Sequence, residues 1–413
     1  MVLLGGSLDA DRARCRCEYH VGSKNERPGR TGFAHLFEHM MFKGSKNVEP
    51  EAHTSFISSV GGQSNAYTTE DATVFWETRA VAVSAAGARG SKPIAWRRCA
   101  STRTTFRARA RGGQGRAADA RREPALRPAA ARSSTTRRSR SIPYKHPVIG
   151  SMKDLEAASV EDVRDFYRTY YVPNNATLAL VGDFDIDGRR CSSCTQYLGR
   201  VPKPSSPVPR DIPQEPPQTK EKRVTARGGL AAARRSSSRH HITYDGNPDS
   251  YPLHIASKIL SGRPELAHLS QAGLRQAAWR WRPSAAATSS SDPNLFFAVA
   301  IVQPGHQPED VEDALIAELD RTARPSRSSR HELQRAKNQF ARDYIVGREI
   351  EPGQGGAARA TPSSSTATSR RPTASSTSSR TSRRPTSSAW RRPTSCRPEP
   401  AGDVRDAEDA GAR

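Results

Sequence analysis

A chain of 413 residues allows two or three domains, but with 35% hydrophobic and 6% aromatic residues it is lean in core-forming side chains. Its net charge of +23 is concentrated in two places: residues 82–141 hold 16 Lys and Arg against 2 Asp and Glu, and residues 351–413 hold 11 against 6. Both segments are Arg, Ala, Ser, Thr, Gly and Pro without period, and this argues against a nucleic-acid-binding protein, whose basic residues sit on a periodic element.

In chain order, the start Met1-Val-Leu-Leu-Gly-Gly has no basic leader and is not expected to be a signal peptide, which leaves the compartment open. Phe33-Ala-His-Leu-Phe-Glu-His-Met-Met-Phe reads as a buried helix, with Gly32 before it and Gly44 after it. Residues 51–60 read as a second short helix ending at Gly61-Gly62. Residues 64–69 and 72–78, rich in Thr, Tyr, Val, Phe and Trp, read as two strands about a turn at Glu70-Asp71.

After the patternless stretch 82–141, globular texture returns at Ile142-Pro-Tyr-Lys-His-Pro. Ser159 is a good N-cap for a helix from Val160 to about Tyr170, with Glu161 and Asp162 in its first turn. Residues 176–182 read as a buried strand and the Pro-rich stretch 202–213 as a linker. In the second half, strands are expected at 241–244 and 295–302, and helices at 250–260, 309–319 and 332–346. Residues 225–239, 262–290, 322–329 and everything after 350 are patternless. No run of about 18 apolar residues occurs, so no membrane span is expected. The six cysteines are too sparse for a disulfide framework, and Cys191-Ser-Ser-Cys194, without a second pair, reads as coincidence in a polar linker.

The chemistry is carried by His35-Leu-Phe-Glu38-His39. Residues three and four apart share a helix face, so His35 and His39 can point two imidazoles at one metal with Glu38 beside them. Neutral imidazole suits Zn²⁺. Zinc lowers the pKa of its water toward 7, and a neighbouring carboxylate can take that proton; Glu38 is the expected general base. The order H-x-x-E-H inverts the commoner H-E-x-x-H. The bland alternative, a core helix with two satisfied histidines, would bury a glutamate between Phe37 and Met40 at a cost.

Gly32-Phe-Ala-His-Leu-Phe-Glu-His-Met-Met-Phe-Lys-Gly-Ser resembles the zinc-binding helix of the insulinase/pitrilysin family of metallopeptidases, which includes mitochondrial processing peptidases and many bacterial zinc proteases. Gly61-Gly62-Gln-Ser-Asn65-Ala66-Tyr67-Thr-Thr-Glu-Asp71 is similar to the family's edge strand that pairs with a substrate backbone, which implies peptide binding through Asn65, Ala66 and Tyr67 by β-augmentation. The blocks beginning at Pro143-Tyr144 and Tyr170-Tyr171 are also similar to family blocks.

The resemblance implies an α+β fold of two related half-domains: 19–201 carrying the motif with a damaged middle at 82–141, the linker 202–213, a second half at 214–350, and a disordered tail at 351–413. It also implies a homodimer or a heterodimer with another family chain, an unfolded peptide or protein as substrate, and an Arg/Tyr substrate-binding pair in the stretch after Leu260. Bacterial relatives are often exported.

One departure stands out. The family's third zinc ligand is a glutamate separated from the second histidine by 76 intervening residues; here that position is Arg116, which stays cationic and has no lone pair to offer. Glu123 is the nearest later glutamate. For residues 112–127, codons can be chosen whose reading one base later spells a peptide like the family's ligand helix, with its first glutamate at position 116. Frame errors are therefore expected in the scrambled segments, to be checked by sequencing the gene. The leading expectation is a zinc-dependent endopeptidase with an incomplete metal site. The runner-up is a non-catalytic peptide-binding or partner subunit of the same family. Glu77 is expected to be a solvated strand end, His53 and Glu51 to lie on a helix surface, and His146 to have a structural role.

Overall fold

The computed structural model describes residues 2–5, 12–42, 49–80, 144–182, 204, 206–213, 221, 223, 235–262, 268–270, 272, 283–288, 290–323 and 330–350. The patternless segment 82–141 with Arg116 and Glu123, and the tail 351–413, lie outside these residues.

The first half is built on a five-stranded sheet ordered β1-β5-β2-β4-β3: β1 (Val2–Gly5), β2 (Arg12–Tyr19), β3 (Gln63–Thr68), β4 (Thr73–Ala80) and β5 (Ala176–Gly182). β1 runs parallel to β5, and the other neighbours are antiparallel. Strands before Tyr19 therefore belong to this sheet. The signal for β2 is present in Arg-Ala-Arg-Cys-Arg-Cys-Glu-Tyr, a charged/apolar alternation of period two that turns Cys15, Cys17 and Tyr19 to one face.

On that face lies α1 (Phe33–Met40), followed by α2 (Ala52–Ser59). α3 (Met152–Glu156) and α4 (Val160–Tyr170) complete the layer. The core between sheet and helices joins Cys17, Tyr19 and Val21 to Phe33, Leu36, Phe37 and Met40 of α1, and to Leu155, Val163 and Tyr171. Phe37 is its centre: its ring lies 5.1–5.8 Å from those of Phe166, Tyr167 and Tyr171.

The second half is a three-stranded antiparallel sheet ordered β6-β8-β7: β6 (Arg235–Ile242), β7 (Ser284–Ala287) and β8 (Asn294–Ile301). α5 (Ser250–Ser261) and α6 (Pro308–Ala323) pack on it, and α7 (Arg330–Ile350) packs on α5 through Leu333, Ala336 and Phe340. Its core is Ile242, Leu253, Leu260, Phe296, Val311, Leu315 and Leu319 with several alanines.

Two expectations need correction here. The strand expected at 241–244 starts at Arg235, and β7 lies in the stretch 262–290 that was read as patternless. In both cases the local sequence is Ser, Arg or Ala, and pairing with the apolar β8 supplies the strand.

Candidate metal centre and peptide edge

α1 begins without a side-chain cap of its own. Gly32, its N-cap, sits in the left-handed region at φ 93°. It also has no room for a Cβ, which would come within 2.7 Å of the Ile149 carbonyl oxygen, so the loop 144–150 crosses directly over the helix start. The orphan N–H groups are met from a distance. Glu26 Oε2 accepts from the Gly32 N–H at 2.7 Å, and Oε1 from that of Ala34 at 2.8 Å. One residue earlier, Asp154 Oδ2 accepts from the Thr31 N–H at 3.1 Å and from its hydroxyl. Burial pushes the Glu26 carboxyl up to about 8, against the pull of the Ala34, Gly32 and Phe33 N–H groups. His146 Nδ1 stands 3.6 Å from Glu26 Oε2, giving this loop histidine a place in the same cap.

The apolar face of α1 is fixed by the core, and the half-buried His35 and His39 therefore emerge together, with ring centroids 4.7 Å apart. Two imidazoles on one tetrahedral zinc, each about 2.0–2.1 Å from it through nitrogen, place their centroids roughly 5 Å apart, so the pair fits two ligand positions. Among the described residues no group of three His, Cys, Asp or Glu side chains could hold a metal ion, so the fit is to two ligands of the three that a catalytic zinc takes from protein.

Glu38 is buried and accepts a hydrogen bond on Oε2 from the Thr68 hydroxyl at 2.7 Å. That bond ties the motif helix to β3. β3 is the outer strand of its sheet, so one row of its backbone groups has no neighbour strand among the described residues. The Thr69 N–H donates to the Ala72 carbonyl across the turn. Antiparallel pairs alternate, so the N–H and C=O of Ser64, Ala66 and Thr68 point to the open side. Of the residues expected to meet a peptide, Ala66 presents its backbone there, and Asn65 Oδ1 accepts from the Ala66 N–H at 2.8 Å. Tyr67 is half-buried and pairs inward with Val74.

Two readings are overturned. Glu77 is a buried side chain, 2% exposed, rather than a solvated strand end, and His53 turns inward to it, with Nε2 3.1 Å from Oε2. The cause is register: Glu77 lies opposite Cys15 and Ser64, which places it on the helix-covered face with Phe75. Glu26, Asp154 and Thr68 were not singled out from sequence. Glu26 lies seven residues before Phe33, outside the capping-box spacing that makes such residues legible.

A family model for insulinase (peptidase family M16) matches residues 2–78, and a model for the peptidase M16 inactive domain matches residues 157–340. The chain belongs to the insulinase family. Family relatives include the zinc protease PqqE of Helicobacter pylori, 27% identical over 184 residues that make up 40% of this chain and 37% of PqqE. An uncharacterized zinc protease of Rickettsia bellii is 45% identical over 56 residues, 14% of each chain. The matched stretches thus span well under half of these curated relatives. Among solved structures, a protease from Helicobacter pylori superposes with a TM-score of 0.76 at 19% identity, covering 83% of this chain and 82% of that one. A peptidase M16 inactive domain from Pseudomonas fluorescens gives 0.67 at 16%, covering 85% and 84%. These likenesses show the α+β insulinase-family fold. Among the described residues no helix is long and apolar enough to cross a membrane.

Proposed function

We propose that the chain is a zinc-dependent endopeptidase by descent and design, whose first half carries the chemistry. The observation behind this reading is the bond between Glu38 and Thr68, which sets the motif glutamate against an open strand edge. His35 and His39 would hold the ion. Bound zinc supplies a Lewis acid for the scissile carbonyl and a water acidic enough to lose a proton near neutral pH. An extended peptide would add along the open side of β3, its backbone meeting Ser64, Ala66 and Thr68. To bond the Ala66 N–H it must displace the Asn65 side chain, which holds that donor meanwhile. Glu38 Oε would take the proton from the attacking water and return it to the leaving amine. The Thr68 hydroxyl keeps that carboxylate aimed at the strand.

The non-catalytic reading, a peptide-binding or partner subunit, draws support from Arg116 at the position where the family places its third ligand. One experiment separates the two. The purified chain is assayed for zinc content and for cleavage of an unstructured peptide, beside Glu38→Gln. For a working peptidase we expect about one zinc per chain in both proteins and a loss of cleavage of about 10²–10⁴-fold in the variant. Peptide binding without zinc and without cleavage gives the second reading.

A further inference from the structure

Four side chains from both halves meet at the end of β3. Lys24 Nζ lies 2.8 Å from Asp71 Oδ1 and 2.9 Å from Asp292 Oδ2. The Tyr144 hydroxyl stands 2.7 Å from the same Asp71 oxygen and 2.6 Å from the same Asp292 oxygen. Two carboxylate oxygens thus alternate with an ammonium and a phenol around one ring of contacts. Asp71 lies in the turn between β3 and β4, Lys24 after β2, Tyr144 in the loop over α1, and Asp292 in the turn between β7 and β8. The other Asp71 oxygen accepts from the Ser291 N–H at 2.9 Å, so Asp71 holds the second half by backbone as well. The Asp292 carbonyl accepts from the Ser290 hydroxyl, and the Ser290 carbonyl from the Asp245 N–H, which carries the contact into the second half.

A phenol has one hydrogen, so Tyr144 donates to one carboxylate at a time, and Lys24 must serve the other. The cluster holds two negative charges and one positive, and Lys24 is what keeps the two carboxylates together. Lys24 and Asp71 are mostly shielded from water, with side chains 13% and 16% exposed, and Asp292 is about one-third exposed. Burial acts to lower the Lys24 pKa, but Asp71 and Asp292 outweigh it and the net direction is upward. Burial and the two carboxylates push the Tyr144 phenol far up, so it remains a donor.

We propose that Lys24, Asp71, Tyr144 and Asp292 form a polar latch that registers the second half against the end of the peptide-accepting edge of β3. These are positioning residues, and the claim about peptide binding rests on the function proposed above. Asp71 ends the turn that follows Thr68, so a shift of the second half moves the boundary of the open edge. The contacts at this point are polar, so the latch depends on charge balance.

The test uses the full chain without metal, so its outcome does not depend on whether the chain cleaves peptides. Hydrogen exchange is followed in residues 69–72 and 290–293, with 33–40 and 295–301 as internal references. Lys24→Met leaves two facing carboxylates, and exchange in the first two segments should rise at least tenfold with the references unchanged. Adding Asp292→Asn to Lys24→Met removes the repulsion and restores a donor toward Asp71, so protection should return. Tyr144→Phe should raise exchange by a smaller factor. Binding of an unstructured peptide, read by fluorescence anisotropy, should weaken in Lys24→Met and recover in the double variant.

Unchanged exchange at 290–293 in Lys24→Met, or no recovery on adding Asp292→Asn, overturns the latch. Altered exchange with unaltered peptide affinity overturns its positioning role. If Lys24→Met exchanges fast throughout and is unfolded, Tyr144→Phe decides alone, and no local rise there overturns the proposal. Absence of peptide binding in the parent chain defeats the proposed function and leaves the exchange result standing by itself.

Discussion

Among the described residues the first half buries four glutamates, Glu18, Glu26, Glu38 and Glu77, whereas the second half buries one, Glu318. Glu318 is matched by Arg321 one turn on at 2.7 Å, an arrangement any amphipathic helix can carry. The first-half carboxylates have more varied partners: Arg16 for Glu18, the start of α1 for Glu26, a threonine hydroxyl for Glu38 and a histidine for Glu77. Burying a carboxylate is costly unless it is matched, so a cluster of them marks where the fold gives up stability for placement. Three of the four surround α1 or the strands that face it. The second half, with an alanine-rich apolar core, acts as a support.

The sharpest way to break this comparison is to damage each core equally. Phe37→Ala and Phe296→Ala each remove a fully buried ring, at an expected cost of about 3–5 kcal/mol. The described contacts between the halves are led by the polar latch, so each substitution should lower the stability of its own half. Urea unfolding followed by segment-resolved hydrogen exchange checks this. Phe296→Ala should leave protection in 33–40 at the parent level, while Phe37→Ala should abolish it together with zinc binding. A single transition lowered alike by both substitutions would mean one cooperative unit, and the distinction between a site-bearing half and a supporting half would lose its energetic basis.

A smaller effect is expected at the cap of α1. Glu26→Ala strands the Gly32 and Ala34 N–H groups and should cost about 1–3 kcal/mol, read as faster exchange in 33–40. Glutamine is close in shape to the protonated acid, so Glu26→Gln should cost less than alanine. The pH dependence follows from the raised carboxyl. A glutamate at about 8 in the folded chain and near 4.3 in the unfolded one takes up a proton on folding. Its contribution is fullest below about pH 4.3 and is lost as pH rises toward about 8. Urea midpoints of the parent chain should fall across that window, and Glu26→Gln should flatten the fall. His146 faces the same Glu26 oxygen, so His146→Asn in the same series separates the two.

How far the sequence discloses this molecule depends on whether a signal is local. His35, Glu38 and His39 are legible because helical spacing alone puts them on one face, and the structure does set the two rings side by side. α2, β3, β4, β5 and α5 fall within a few residues of their expected places. Glu77 was misread because its burial comes from register with β2 and β3, which no window of sequence contains. The first part of β6 and all of β7 were missed because Ser, Arg and Ala carry little strand preference and the pairing with β8 decides. The latch spans separations of up to 268 residues, and only contact in space brings Lys24 to Asp292.

The smallest effect belongs to the most legible element. Ser159 caps α4: its hydroxyl accepts from the Asp162 N–H at 3.0 Å, and Asp162 Oδ2 accepts in return from the Ser159 N–H at 2.9 Å. The hydrogen bonds from Ser159 hold the Asp162 carboxyl below its usual range, although burial opposes them. The cap is exposed and water can replace it, so Ser159→Ala should cost only about 1 kcal/mol. The loss should appear at Val163 and Phe166, which α4 packs beneath Phe33 and Phe37, rather than at the exposed end of the helix. Because α4 supports α1 from behind, even this loss should speed exchange slightly in 33–40 and leave 295–301 untouched. An equal change in both segments would show that the two cores share their stability after all.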